Sequence, residues 1–123
     1  IVQEFQKEVL TKGEVSFVVI GGKFTHAVIK KAKCGDYRVQ DDFGGTVSSY
    51  VPNKAEIKFA EDVIVAAPFN FLYARVDIIL DNENKLALSE LEIIEPEMWF
   101  RLNKEAAYKI ATAIKFYMIY SDD

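Results

Sequence analysis

VSFVVIGGKFTHAVIKK, residues 15–31, decides the fold. Residues 15–20 are β-branched or aromatic apart from Ser16, the composition of a strand that packs at least one of its faces. Gly21-Gly22 follows, where a tight turn needs positive φ that glycine adopts without a Cβ clash. Residues 24–31, FTHAVIKK, return as the partner strand of a β-hairpin. Downstream, residues 72–80, LYARVDIIL, read as a mostly buried strand. Asp81-Asn82-Glu83-Asn84 reads as a turn and Leu86–Ile94 as the returning strand of a second hairpin, which Pro96 closes.

Two helices flank the second hairpin. Asn53 is a good N-cap, and Glu56 three residues later completes the capping-box pattern. Ile57, Ala60, Ile64 and Ala67 supply an apolar stripe, and Pro68 ends the helix. Asn103 caps a second helix over about residues 104–120, with Ala107, Ile110, Ala111, Ile114, Tyr117 and Met118 along one face. Residues 1–5 read as a short strand, and residues 6–14 as a loop or one helical turn. Residues 33–50 hold three glycines and three aspartates with no helical period, and read as a long, partly extended loop. Loops of such length are uncommon in compact domains and are often functional. These elements predict an α+β fold, a mostly antiparallel sheet of two hairpins packed by helices, in a single domain spanning residues 1–123.

Composition narrows the function. Half of the 123 residues are hydrophobic, which excludes the signature of a disordered chain. The net charge of -4 argues against nucleic acid as a general partner. No apolar run reaches the roughly 18 residues of a membrane span, so no membrane partner is expected. No stretch reads as a secretory leader with a basic start and an apolar core, so none is expected. A lone cysteine, Cys34, permits no internal disulfide and fits a reducing, cytoplasmic setting. The chain opens at Ile1 in strand-like sequence, which reads as processing or as a piece of a longer protein.

The charges are segregated. From Asp77 to Glu97 there are seven acidic residues and one basic residue, Lys85. Lys30, Lys31, Lys33 and Arg38 gather earlier. Asp77 interrupts an apolar strand, and Glu90 and Glu92, two apart in the partner strand, share one face. If Asp77 pairs near Glu90, three carboxylates converge. Mutual repulsion would oppose this unless a divalent cation neutralised it, and oxygen ligands of this kind suit magnesium. The plainer reading is that Glu90 and Glu92 line the wet face of the strand. Lys30, Arg38 and Gly44-Gly45 could hold polyphosphate, although a Gly-Gly pair more commonly marks a turn. His26, the single histidine, reads as a packed or hydrogen-bonded strand residue rather than a zinc ligand. Cys34 and Ser48-Ser49 lack the context of a nucleophile. Phe69, Phe71, Tyr73, Trp99 and Phe100 read as packing residues.

Five strings together resemble the C-terminal half of an ATP-grasp ligase of the glutathione synthetase-like kind: VQEF at 2–5, residues 13–31, GDYRVQDDFGG at 35–45, YARVDIIL at 73–80 and SELEIIEP at 89–96. The resemblance implies a carboxylate–amine ligase. Such an enzyme uses ATP to convert a carboxylate to an acyl-phosphate, which an amine attacks to give an amide or peptide bond. It implies two magnesium ions held by Asp77, Glu90 and Glu92. Some glutathione synthetase-like members have asparagine where Glu92 stands. By the same resemblance, Gln3, Glu4 and Phe5 form the hinge strand touching adenine, and Glu14 meets the ribose hydroxyls. Arg38 stands as the catalytic cation at the transferring phosphoryl group, with Lys30 or Arg75 assisting, and Gly44-Gly45 belongs to a mobile loop over the site. The implied partners are a missing N-terminal part of the same enzyme and small carboxylate and amine substrates, with a homodimer through uncovered apolar surface also possible. The isolated fragment is expected to catalyse little. The alternative is a non-enzymatic acidic α+β module that binds a cation or a protein.

Overall fold

The computed structural model describes residues 2–32, 45–68 and 70–120. Five strands, β1 (Glu14–Ile20), β2 (Lys23–Lys31), β3 (Thr46–Tyr50), β4 (Tyr73–Leu80) and β5 (Leu86–Glu92), form one sheet in the order β3-β2-β1-β4-β5. Every neighbouring pair is antiparallel. Three helices, α1 (Val9–Lys12), α2 (Lys54–Ala66) and α3 (Lys104–Tyr120), complete an α+β architecture. The two expected hairpins are β1–β2 and β4–β5. They join through β1 and β4, in a register that sets Ser16 opposite Asp77 and Val18 opposite Arg75.

Alternation along the strands gives the sheet two chemically different faces. Phe17, Val19, Ala27, Val76 and Ile78 turn to one side, where Ala60, Phe59, Val63 and Ile64 of α2 cover them. Asn53 caps α2: its Oδ1 accepts from Ala55 N at 2.9 Å and Glu56 N at 3.0 Å, while Glu56 Oε2 accepts from Asn53 N at 2.7 Å. On the other side Val18 and Ile20 pack against Met98 and Ala106, at the end covered by α3. The rest of that face carries charge.

Several expectations change. Residues 2–6 form no strand; Asn82 ties them down instead, its Oδ1 accepting from Lys7 N and its Nδ2 donating to Phe5 O. Residues 46–50 are not loop but the edge strand β3, paired with β2 from Thr46–Lys31 to Tyr50–Ala27. The segment 33–44 lies outside the described residues, and with it Cys34, Arg38 and Gly44; Phe69 does too. Ala67 leaves the α2 stripe because it takes the extended conformation that Pro68 imposes on its predecessor (ψ 142°). β5 stops at Glu92, short of Ile94. α3 is anchored through Ala106, Ile110 and Ala113, whereas Ile114, Tyr117 and Met118 are exposed. Its last turns are apolar on every side, so periodicity does not single out the packed face. Among the described residues, no helix is long and apolar enough to cross a membrane.

Candidate functional site

Two bulges shape the charged face. The β1–β2 register shifts between Val18 and Val19, leaving Thr25 as the extra residue; its hydroxyl donates to Val18 O at 3.0 Å. The β4–β5 register shifts between Asp77 and Ile78, leaving Ser89 extra; its hydroxyl donates to Glu14 Oε2 at 3.0 Å. Bulges of this kind re-aim side chains beside functional sites.

The register brings six charged residues to one face. Glu14 lies opposite Lys30, Asp77 opposite Glu90, and Arg75 opposite Glu92. Lys30 is buried between two carboxylates. Its Nζ pairs with Glu14 Oε1 and donates to Asp77 Oδ2 at 2.9 Å. Arg75 Nε donates to both Asp77 oxygens, at 2.9 and 3.1 Å. Its Nη2 reaches Glu92 Oε2 at 2.5 Å and Glu90 Oε2 at 3.3 Å. Trp99 covers the two cations, with its ring centroid 6.0 Å from Lys30 Nζ and 5.7 Å from Arg75 Cζ. Both distances fall within cation–π range.

The electrostatics follow from burial and pairing. Burial alone would raise the pKa of Asp77; Lys30 and Arg75 outweigh it and hold the carboxyl below its ordinary value. The Ser16 hydroxyl opposite is buried and its Oγ reaches no atom in hydrogen-bond geometry. Glu14 goes the other way: burial dominates the pull of Lys30, and its pKa is raised. Burial lowers Arg75, but Asp77, Glu92 and Glu90 together raise it, so it stays charged. Four carboxylates against two cations leave the cluster formally at −2.

The structure therefore gathers Lys30, Arg75, Asp77, Glu90, Glu92 and Glu14. It places Arg75 among the three carboxylates expected to converge, and among the described residues no group of three or more His, Cys, Asp or Glu is arranged to hold a metal ion. Gln3, Glu4 and Phe5 line a recess of about 290 Å³ with Glu14, Ile79 and Ser89. Glu14 and Ser89 thus belong both to this recess and to the charged cluster. A larger apolar groove of about 610 Å³ runs along α3 past Ile20 and Leu72, and none of the expected site residues lines it. Gly45 is half-buried just before β3. Ser89 and Trp99 carried no sequence signal of a site role. Ser16 did, as the one polar residue within the apolar run 15–20.

No family model matches the sequence, and no curated protein matches it. A solved structure does. The crystal structure of D-cycloserine synthetase DcsG superposes with a TM-score of 0.76 at 20% identity, over 91% of this chain and 40% of that one. At that identity the likeness concerns the fold alone. The chain spans 40% of the length of the protein it matches.

Proposed function

We propose that the chain is the C-terminal half-site of an ATP-dependent carboxylate–amine ligase and binds magnesium-ATP on the charged face of its sheet. The observation that carries this reading is the adjacency of two parts. The recess lined by Gln3, Glu4, Phe5 and Glu14 opens beside the cluster of Lys30, Arg75, Asp77, Glu90 and Glu92. On this reading the first takes the nucleoside and the second the metal-bound polyphosphate. The fold likeness to a synthetase supports the ligase class.

The donor set fits magnesium in kind, since all three candidate ligands are hard carboxylate oxygens. Glu90 and Glu92 are accessible, with side chains 59% and 31% exposed, although Arg75 Nη2 holds one oxygen of each. Asp77 is fully buried and both its oxygens are taken by Lys30 and Arg75. It becomes a ligand only when Arg75 exchanges its carboxylates for a phosphate oxygen. Magnesium would neutralise the phosphates and the charge that develops during phosphoryl transfer. The cluster's formal −2 makes the cation necessary, because a free polyphosphate would meet net repulsion.

Within the chain, Glu14 orients the ribose and the backbone of 3–5 receives the base. Arg75 and Lys30 stabilise the oxygens of the transferring group, a role that the sequence resemblance gives to Arg38 as well. In the whole enzyme the products of that transfer are an acyl-phosphate and ADP, and an amine then attacks the acyl carbon and expels phosphate to give an amide. The chain by itself binds magnesium-ATP weakly and does not turn over.

A second reading has its own support: Arg75 and Lys30 already pair the carboxylates internally, so the face could be a self-contained ion network in a non-enzymatic acidic module that binds a cation or a protein. Titration calorimetry separates the two. Magnesium-dependent ATP binding that is lost in Glu90→Gln and Glu92→Gln supports the ligase half-site. Nucleotide affinity indifferent to both substitutions supports the module.

A further inference from the structure

Trp99 is the only tryptophan of the chain, and its conformation is unusual. It is buried, yet it sits at φ 45°, a left-handed conformation that is strained for a bulky side chain. Such strain persists only where the surroundings hold it. Glu97 Oε1 accepts from Trp99 N at 2.9 Å, and Leu102 N donates to Trp99 O at 2.8 Å. The third anchor comes from a distant strand. His26 of β2 places Nε2 2.8 Å from Met98 O, the carbonyl of the peptide that leads into Trp99. Its Nδ1 lies 3.0 Å from Thr25 Oγ1, the hydroxyl of the β1–β2 bulge, which fixes the ring plane.

We propose that His26 is a positioning residue for the anion site: by holding the Met98 carbonyl it keeps the Trp99 indole against Arg75 and Lys30. This rests on the reading of those two residues as phosphate-binding cations. The indole face replaces water over the guanidinium, which lowers the local dielectric and strengthens its contact with an incoming anion, while Asp77, Glu92 and Glu90 keep the cation charged. Met98 O can only accept, so the device requires a proton on Nε2 of His26.

The imidazole ¹⁵N shifts of the unaltered chain test that requirement directly, since His26 is the sole histidine. A proton on Nε2, in the neutral or charged ring, supports the proposal. A ring protonated on Nδ1 alone overturns it, because Nε2 would then face the carbonyl lone pair to lone pair. The variants His26→Ala and His26→Gln follow, read by Trp99 fluorescence without ligand and then by magnesium-ATP titration. His26→Ala should shift the emission to the red, raise quenching by acrylamide and weaken magnesium-ATP about tenfold, the factor that ~1.4 kcal/mol represents. His26→Gln, whose amide N–H can reach Met98 O, should restore both readouts. Unchanged emission and quenching in His26→Ala overturns the positioning role. Altered fluorescence with unaltered affinity overturns its link to the anion site. Altered fluorescence in a chain whose parent binds no magnesium-ATP supports the positioning role and overturns the reading of the site on which it rests.

Discussion

Replacing Lys30 with methionine tests the physical core of the site. Lys30 is the cation shared by Glu14 and Asp77, and all three are buried. Without it Asp77 keeps both bonds from Arg75, at 2.9 and 3.1 Å. Glu14 keeps only the Ser89 hydroxyl at 3.0 Å. Removing one partner of a buried pair costs about 3–5 kcal/mol, and the surviving Asp77–Arg75 pair places the loss near the lower end, about 3 kcal/mol. The loss has a pH signature. Burial already raises the pKa of Glu14 against the pull of Lys30. A raised folded-state pKa means that the native state binds more protons than the unfolded state above the ordinary value of 4.5, so this group's contribution falls as pH rises through that window. Deleting Lys30 pushes the window upward. The variant should therefore lose less stability at about pH 5 than at about pH 8. Urea denaturation followed by Trp99 emission measures both, and adding Glu14→Gln should recover most of the loss. A loss below about 1 kcal/mol, or one equal at the two pH values, would refute the assignment of Glu14 as the orphaned charge.

Three further outcomes are expected. Asp77 has a depressed pKa, so its contribution is present above the ordinary value of 3.8 and lost as pH falls through the native value; Asp77→Asn should flatten the acid limb of a stability–pH curve. His26 is lowered by burial, partly offset by its bond to Met98 O, so the unfolded chain binds more protons below 6.5 and stability falls as pH drops from there; His26→Gln should abolish that decline in thermal melts taken across the range. Gly13 sits at φ 80°, and a Cβ there would lie 2.4 Å from Lys30 O, so Gly13→Ala should destabilise by ~1–3 kcal/mol in chemical denaturation, well above the cost of an ordinary Gly→Ala change.

The elements that local chemistry dictates were legible in the sequence. The β1–β2 hairpin follows from β-branched residues around Gly21-Gly22, and the α2 start from Asn53 and Glu56, whose capping box forms as expected. Strand alternation also placed Glu90 and Glu92 on one face, and the register confirms Asp77 opposite Glu90. What stayed hidden depends on contacts distant in sequence. Thr46, Val47 and Tyr50 favour a strand but become one only because β2 offers its edge, and residues 1–5 read as a strand whereas residues 2–6 meet Asn82 instead of a ladder. The β1–β4 pairing, which brings Lys30 to Asp77 across 47 positions of sequence, has no local signal either. Nor has the insertion of Arg75 among the three carboxylates, because it depends on side-chain reach across the sheet and not on spacing along it. For the same reason the burial of Lys30 in an ion-paired triad with Glu14 and Asp77 had no signal in the sequence.

The most direct test of the half-site is an amide NMR titration with ATP and Mn²⁺ standing in for magnesium, since paramagnetic broadening detects weak binding at the metal itself. Mn²⁺ and ATP together should broaden the resonances of Ser16, Asp77, Glu90 and Glu92, with ATP alone causing no shift there and Glu90→Gln/Glu92→Gln removing the effect. Broadening spread over the acidic surface regardless of ATP, or persisting in the double variant, would contradict the account and leave the charged face as an internally paired ion network.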